Sequence, residues 1–362
     1  MNILLDNIIF SLQKAGGVSV VWQQHLEKLL LDKDFQCRFL EYDNAEFNFF
    51  RQQLSINKDL IDVKSSLFLD FKRYLNIKSK TNDKHIFHSS YYRLENGKNI
   101  INVTTVHDFT YEYYMKGLAQ KMHSWQKKSA INGSEGIICI SQSSKKDLLR
   151  FLPQISENRI KVIYNGVNGA YKPLLNNVVF YKEHSFEDYS YAIYVGDRRS
   201  GYKNFSMAVD ACALSKISLL IIGGGELTET ELHNLKSKLG KINYSTLQGV
   251  SAEDLNYYFN RAYCLLYPSF YEGFGLPVIE AQRAGCPVIA TDSSSIPEVI
   301  GNRYLALVDP TPQKIFGKIK ELLLNNDLRK ETIELGFEKS KDFNWQNTYN
   351  QTIEFYKELY KS

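Results

Sequence analysis

Two glutamates eight positions apart give the strongest sign of chemistry in this sequence. Glu272 and Glu280 lie in YPSFYEGFGLPVIEAQRAG at 267–285, with glycines and a proline between them. Proline fits the first turn of a helix, so we predict a helix from Pro277, with Glu280 in its first turn and Glu272 in the preceding loop. Loop glycines and a helix N-terminus suit phosphate. The carboxylates can accept hydrogen bonds from ribose or sugar hydroxyls, or Glu280 can simply stabilise the helix start.

A cluster of cations follows another predicted strand. The segment VGDRRSGYKN at 195–204 carries Arg198, Arg199 and Lys203 directly after the apolar run YAIYV. Ligands of α/β sheets bind outside the carboxyl ends of the strands, so these side chains can clamp a diphosphate. The alternative is solvated surface charge.

Two further strand ends carry candidate residues. Gly16 and Gly17 come between the first strand and the first long helix, where backbone N–H groups can face phosphate or form a plain tight turn. His107 follows the run INVTTV and can orient a sugar hydroxyl, carry a proton or serve a structural role. Asp32 and Asp34 match an acidic DxD pattern, but they follow a helix, so we interpret them as a turn and predict no metal site.

Alternating strand and helix patterns predict the elements that position these residues. The fold class is α/β, with parallel sheets covered by helices in two Rossmann-like halves. We predict an N-terminal domain at 1–170, a second domain at 171–342 and a last helix at 343–362. The stretch 168–189, which contains Pro173, three asparagines and mixed charge, reads as the linker.

Composition excludes several classes of protein. The net charge of +4 is too small to favour nucleic acid, although residues 1–170 carry 23 basic against 17 acidic residues and the remainder is slightly acidic. No apolar run approaches the roughly 18 residues of a membrane-spanning helix. The five cysteines are widely spaced and form no CxxC, so we expect reduced thiols in a cytoplasmic protein. Residues 1–10 read as a short strand with neither a basic region nor a cleavage site, so we expect no leader peptide.

Eight segments, spread over nearly the whole chain, form a recognisable set. They are Gly16–Gly17, VHD at 106–108, IICISQSSKKDL at 137–148, VIYNGVN at 162–168, YVG to YKN at 194–204, IIGGGE at 221–226, LQGVSAEDL at 247–255 and PSFYEGFGLPVIEAQRAGCPVIA at 268–290. Together they resemble the retaining glycosyltransferases of family 4, which have the GT-B architecture of two facing Rossmann-like domains. The GYKN form is similar to bacterial O-antigen or capsule mannosyl- and rhamnosyltransferases.

The resemblance implies a role for each candidate residue. Glu280 would hold the ribose hydroxyls and Glu272 the donor sugar. Lys203, with Arg198 or Arg199, would neutralise the diphosphate. Backbone groups would hold the base, the sugar and the phosphates at Val250, Phe274, Gly275 and Leu276, and from the other domain at Gly16 and Gly17. The acceptor side of the donor sugar would be lined by His107. The last helix, at 343–362, would pack back on the N-terminal domain.

The resemblance also implies the reaction. A hexose, of mannose or rhamnose type, would pass with retention from a GDP-, dTDP- or UDP-sugar to a saccharide or an undecaprenyl-pyrophosphate-linked oligosaccharide. Arg, Lys and backbone N–H groups would supply the countercharge, with neither a metal nor a permanently bound cofactor. A nucleotide-sugar epimerase on the same fold and a non-catalytic sugar-binding protein remain alternatives.

A separate hypothesis concerns the membrane. Residues 67–84 mix Leu and Phe with Lys72, Arg73, Lys78, Lys80 and Lys84. Such a basic amphipathic surface can touch anionic lipid on the inner face of the cell membrane, or it can be a solvated helix or loop.

Overall fold

The computed structural model describes residues 1–78, 83–174, 186–240, 244–307 and 309–362. The chain divides into two compact units, the first made of Met1–Gly166 with Trp345–Ser362 and the second of Val167–Asn344. The domain boundaries predicted from the sequence lie at 170/171 and 342/343. Residues 175–185 of the predicted linker, and Lys80, lie outside the described residues.

The first unit is built on parallel strands joined by helices. Its strands are β1 (Asn2–Asp6), β2 (Gln36–Tyr42), β3 (Ile61–Lys64), β4 (His85–Ser89), β5 (Ile100–Val106), β6 (Gly136–Cys139) and β7 (Ile160–Val162). Its helices before residue 166 are α1 (Ile9–Leu12), α2 (Gly17–Leu31), α3 (Leu69–Lys72), α4 (Thr110–Tyr114), α5 (Leu118–Gly133) and α6 (Gln142–Phe151). Helix α6 begins directly after Ser141, because the Ser144 N–H donates to the Ser141 hydroxyl at 2.9 Å.

The second unit repeats this plan. Its strands are β8 (Tyr191–Val195), β9 (Ser218–Ile222), β10 (Tyr244–Leu247), β11 (Cys264–Tyr267), β12 (Val288–Thr291) and β13 (Ala306–Leu307). Its helices are α7 (Phe205–Ser215), α8 (Glu229–Leu239), α9 (Ala252–Arg261), α10 (Leu276–Arg283), α11 (Ile296–Val299), α12 (Pro312–Leu324) and α13 (Asn326–Ser340). Apolar runs such as SLLII in β9 are buried because helices cover both faces of the sheet.

Both sheets are parallel and share one order of strands. Within the described residues, seven strands follow the order β3-β2-β1-β4-β5-β6-β7, and six follow β10-β9-β8-β11-β12-β13. In each sheet the order reverses beside the first strand, between β1 and β4 and between β8 and β11. Such a switch point leaves a crevice at the carboxyl ends of the strands, where α/β proteins bind ligands. The prediction of two Rossmann-like parallel α/β domains is confirmed.

The last helix, α14 (Trp345–Lys361), belongs to the first unit. Tyr349, Ile353 and Tyr356 lie in the core formed by β1, β4 and α2. The Tyr349 hydroxyl donates to Asp32 Oδ2 at 2.8 Å, beyond the end of α2. No helix in the described parts of the chain is long and apolar enough to cross a bilayer.

Candidate active site

A lysine and a glutamate meet at the switch point of the second sheet. Lys203 follows β8 and Glu272 follows β11, and these strands are neighbours. Lys203 Nζ lies 2.7 Å from Glu272 Oε1 and 2.9 Å from Oε2. Their side chains are only 17% and 10% exposed, so the ion pair is shielded from water. The structure therefore brings together a predicted cation and a predicted carboxylate 69 positions apart.

Three consecutive serines after β12 hold the loop that carries Glu272. The Glu272 N–H donates to Ser294 Oγ at 2.8 Å. Ser295 Oγ donates to the carbonyls of Glu272 and Phe274 at 2.9 and 2.8 Å. Ser293 Oγ donates to the Phe270 carbonyl. These serines were not among the predicted site residues, although they lie only one residue beyond the end of the strand PVIAT, at the edge of the sheet where ligands bind.

Arg198 is enclosed by a glycine loop. Its side chain is fully buried. Its guanidinium donates to the carbonyls of Gly223 and Gly224, and to that of Gly225 at 2.8 Å. Gly224 has φ +79°, and a Cβ there would lie 2.8 Å from Arg198 Nη1, so only glycine fits this close approach. The guanidinium thus holds the loop after β9.

Arg199 points to a different environment. Its side chain is 49% exposed, and Nη2 donates to the Glu226 carbonyl at 2.6 Å and to Glu231 Oε2 at 3.0 Å. The other oxygen of Glu231 accepts from Arg198 Nε at 3.2 Å. Burial alone would raise the pKa of Glu231, but hydrogen bonds from the Thr228 N–H and from Arg199 lower it to about 2. Glu231 is therefore an ionised bridge between the two arginines.

Helix α10 follows the Glu272 loop and starts earlier than expected. Gly275 has φ +104° and occupies the N-cap position, so Leu276 is the first helical residue and Pro277 lies in the first turn. A Cβ on Gly275 would also lie 3.0 Å from Ile296 Cδ1. The preceding residue, Phe274, is buried and packs edge-on against the Phe343 ring at 5.6 Å.

The predicted position of Glu280 in the first helical turn is wrong. Glu280 is the fifth residue of α10 and so lies in the second turn, because the left-handed Gly275 lets the helix begin before Pro277. Burial raises the pKa of Glu280 to about 7, and a hydrogen bond from the Tyr171 hydroxyl opposes the rise. Tyr171 is itself buried, and no sequence pattern pointed to it.

Val250, the predicted neighbour of the base, lies in the loop between β10 and α9. It is half-buried and directly precedes Ser251, the N-cap residue of α9. The Ser251 hydroxyl accepts from the Asp254 N–H at 3.1 Å. Val250 thus also follows a strand of the second sheet, on the β9 side of the switch point.

The remaining predicted residues lie in the first unit. His107 follows β5 and, with His25 and His88, lines a cavity of about 40 Å³ beside α2 and α14. Burial lowers the pKa of His25 and of His107 to about 4 in each case, so both are neutral at pH 7. His88 Nε2 lies 2.9 Å from Thr105 Oγ1, and its Nδ1 bonds the Tyr356 hydroxyl. The cavity holds a few waters at most and is too small for a sugar.

The predicted glycine pair opens helix α2. Gly17 is the first helical residue, and nothing lies within 4 Å of the place where its Cβ would be. A Cβ on Gly16 would lie 2.5 Å from Gln13 Oε1. That Gln13 amide donates to Ser19 Oγ at 2.7 Å, so the turn is tied back to α2.

Two acidic sequence features have structural roles in the first unit. Asp32 Oδ1 accepts from the Asp34 N–H at 3.0 Å, which confirms the turn predicted for the DxD pattern. At the switch point of the first sheet, Asp6 pairs with Arg93 at 2.6 Å, and both side chains are buried. Among the described residues no cluster of three or more His, Cys, Asp or Glu side chains is arranged to hold a metal.

The sequence also matches known families over both units. The family described as "Glycosyltransferase Family 4" matches residues 41–170, and "Glycosyl transferases group 1" matches residues 179–339. The chain belongs to the GT-B glycosyltransferases. This confirms the resemblance stated from the motifs and does not favour the epimerase alternative.

Two relatives and one solved structure agree with this assignment. The O-antigen chain mannosyltransferase B of Escherichia coli is 29% identical over 71% of this chain and 70% of its own length. An uncharacterized glycosyltransferase of Methanocaldococcus jannaschii is 27% identical over 99% of both chains. The fold matches Anabaena HepE, whose structure contains UDP and glucose, with a TM-score of 0.68, 16% identity and 98% of both chains covered.

Proposed function

We propose that this glycosyltransferase moves a hexose, of mannose or rhamnose type, from a nucleotide-sugar to a saccharide in surface polysaccharide biosynthesis. The observation that carries the proposal is the shielded Lys203–Glu272 pair at the switch point of the second sheet. A cation there can meet a diphosphate, and a carboxylate can meet sugar hydroxyls. Similarity to an O-antigen mannosyltransferase supports the choice of sugar and pathway.

The two arginines take different parts in this proposal. Arg199 and Lys203 contact the diphosphate, since Arg199 is half exposed and can exchange Glu231 for a ligand. Arg198 is a positioning residue, because its guanidinium is already occupied by glycine carbonyls and Glu231. It fixes the glycine loop beside the phosphates.

The carboxylates and the helix start hold the rest of the donor. Glu272 accepts hydrogen bonds from sugar hydroxyls once Lys203 turns to phosphate. Glu280 accepts from the ribose, with Tyr171 keeping its carboxylate oriented. Backbone groups at Phe274, Gly275 and Leu276 face the sugar and phosphate, and the half-buried Val250 lies against the base. In the first unit, Gly16 and Gly17 are proposed to face phosphate, and His107 the acceptor side.

The reaction proceeds with retention in this proposal, by front-face attack through an oxocarbenium-like state. The departing phosphate takes the proton of the acceptor hydroxyl, so no protein nucleophile is needed. Lys203 and Arg199 stabilise the charge that builds on the leaving group, which makes catalysis independent of a metal. The protein's further contribution is to align donor and acceptor.

A pair of measurements tests the proposal. GDP-, UDP- and dTDP-sugars are screened by thermal shift, and one class should raise the Tm. Transfer to saccharide acceptors is then measured for Lys203→Met, Glu272→Gln and, as a matched control, Lys339→Met, whose lysine also pairs with a carboxylate. The first two should lose about 100-fold or more in kcat/KM and the control should be unchanged. Near-normal transfer by Lys203→Met, or donor conversion without an acceptor, would contradict the proposal.

The acceptor and its location complete the proposal. We infer a saccharide acceptor carried on undecaprenyl pyrophosphate, met at the cytoplasmic face of the membrane. The excess of basic residues at 1–170 supports this, since a pyrophosphate lipid and its membrane are anionic. Transfer to a lipid-linked oligosaccharide, compared with the same oligosaccharide free in solution, tests it. Equal kcat/KM for the two acceptors would contradict it.

A further inference from the structure

We propose that the solvent side of helix α5, with the α3 segment beside it, binds an anionic membrane surface. The inference deepens the proposed function, because it names the surface that would meet the membrane of a lipid-linked acceptor. Leu118, Met122 and Trp125 are 76%, 38% and 57% exposed. Spaced by four and three residues, they form one stripe along α5. The opposite side of α5 is buried, so this stripe is not needed for the core.

The α3 segment extends the same surface. Leu67, Phe68 and Phe71 are 64%, 72% and 67% exposed. The segment lies against α5, because Gln126 Nε2 donates to the Arg73 carbonyl at 2.6 Å. Leu75 and Trp125 also line one shared surface groove. The apolar side chains of both elements therefore form one solvent-exposed patch. Contiguous apolar patches of this kind are unusual on soluble proteins and mark interaction sites.

The charge around this patch selects an anionic partner. Residues 113–134 contain four lysines and neither Asp nor Glu. Lys127 is buried, whereas Lys116 and Lys121 are exposed and Lys128 is half-buried beside the stripe. Apolar and aromatic side chains among lysines suit the boundary between lipid headgroups and acyl chains. Each lysine near an anionic surface strengthens this attraction.

The patch is fixed to the part of the first unit that carries His107. Lys127 Nζ donates to the Asp108 carbonyl at 2.8 Å and pairs with Glu112 at 2.7 Å. Helix α5 is thereby attached to the loop that follows β5. A membrane bound to α5 would lie close to the loop in which His107 is proposed to meet the acceptor.

The sequence hypothesis for residues 67–84 coincides with only part of this surface. Lys72 Nζ donates to the Ser65 carbonyl, and Lys84 lies over the Tyr360 ring on α14. Helix α5, to which no sequence pattern pointed, supplies the other apolar part of the surface.

The test uses the full chain with vesicles of phosphatidylcholine, with and without about 30% phosphatidylglycerol. Trp22 and Trp345 are buried, so Trp125 is the natural fluorescent reporter. We expect cosedimentation with the anionic vesicles only, weakened by salt, with a blue shift of Trp125 emission and quenching by brominated acyl chains. Leu118→Ser with Trp125→Ser, and separately Lys116→Gln with Lys121→Gln, should each weaken binding about tenfold or more.

A matched control and a second readout keep the outcomes separate. Leu323→Ser with Leu324→Ser changes two leucines that are 51% and 76% exposed on α12, and should bind vesicles as the unchanged protein does. Nucleotide-dependent thermal shift, measured without lipid, reports the proposed donor site independently of the patch. Absence of binding to anionic vesicles, unchanged binding by both α5 variants, or loss of self-association as their sole effect would overturn the inference.

Discussion

Arg199 Nη2 lies 3.0 Å from Glu231 Oε2, so a half-exposed arginine shares its carboxylate partner with the buried Arg198. This shared partner separates two neighbouring arginines that the sequence alone left equivalent. The buried guanidinium of Arg198 holds the glycine loop, whereas the guanidinium of Arg199 lies at the surface of the crevice.

The two arginines should therefore respond differently to substitution. Arg198→Met removes a buried guanidinium that bonds both Glu231 and the carbonyls of the glycine loop, so the free energy of unfolding should fall by about 3 kcal/mol. Arg199→Met should change stability by less than about 1 kcal/mol, since the pair is half exposed, but should raise KM for the donor. Urea unfolding and steady-state kinetics check both variants. Equal stability losses would contradict the distinction.

Ser295, one of the three serines that hold the Glu272 loop, gives a second prediction. Ser295→Ala removes the two hydrogen bonds that the buried Ser295 hydroxyl donates to the carbonyls of Glu272 and Phe274. The free energy of unfolding should fall by about 1–3 kcal/mol, and KM for the donor should rise because the loop loses its support. Ser215→Ala, which removes hydroxyl bonds only within α7, is the control. An unchanged KM for the donor in Ser295→Ala would show that these hydrogen bonds do not support donor binding.

The raised pKa of Glu280 predicts a dependence of stability on pH. Its ordinary value of 4.5 rises to about 7 in the folded protein. The folded state then holds more protons than the unfolded one between these values, so this group favours folding at low pH and loses that contribution as pH rises to 7. The full change is about 3 kcal/mol. Glu280→Gln should abolish this pH-dependent change in the free energy of unfolding, which is measured by urea unfolding between pH 4.5 and 7.5.

Tyr171→Phe sharpens this test. The Tyr171 hydroxyl donates to the ionised form of Glu280, so its loss should raise the pKa of Glu280 further. The fall in stability should then extend to higher pH. If the free energy of unfolding of Tyr171→Phe had the same pH dependence as that of the unchanged protein, the hydrogen bond from Tyr171 to Glu280 would be contradicted.

The buried histidines predict the opposite slope. His25 has a pKa lowered by burial from 6.5 to about 4. The unfolded state takes up its proton first as pH falls below 6.5, so the stabilising contribution present above that pH is lost towards pH 4. In His25→Gln, the free energy of unfolding should fall less steeply between pH 6.5 and 4 than in the unchanged protein. Comparing it with Glu280→Gln separates the two groups, since their contributions have opposite signs in the same pH range.

Much of the fold could be predicted from local patterns. Apolar runs such as YAIYV and SLLII, each followed by a helical period, specify parallel strands with covered faces. Ser141 and Thr228 mark helix starts through their own side chains. Such signals lie within a few residues of the element they define, so one sequence suffices to read them.

The candidate site was only partly readable because its geometry depends on distant parts of the chain. The glycine loop that encloses Arg198 follows a different strand, and Tyr171 reaches Glu280 from more than one hundred residues away. The early start of α10 depends on the left-handed conformation of Gly275. Spacing identified the charged residues, but it could not assign the partner of each one.

The pairing of charges at the second switch point also bears on the kinetics of encounter. Arg198 and Arg199 share Glu231, and Lys203 pairs with Glu272, so each of these cations already has a carboxylate partner. Cations that are paired with carboxylates attract a distant anion less than unpaired cations do, so added salt has less attraction to screen. The rate at which a nucleotide-sugar associates should therefore vary only weakly with ionic strength, and selectivity would come from partner exchange after contact.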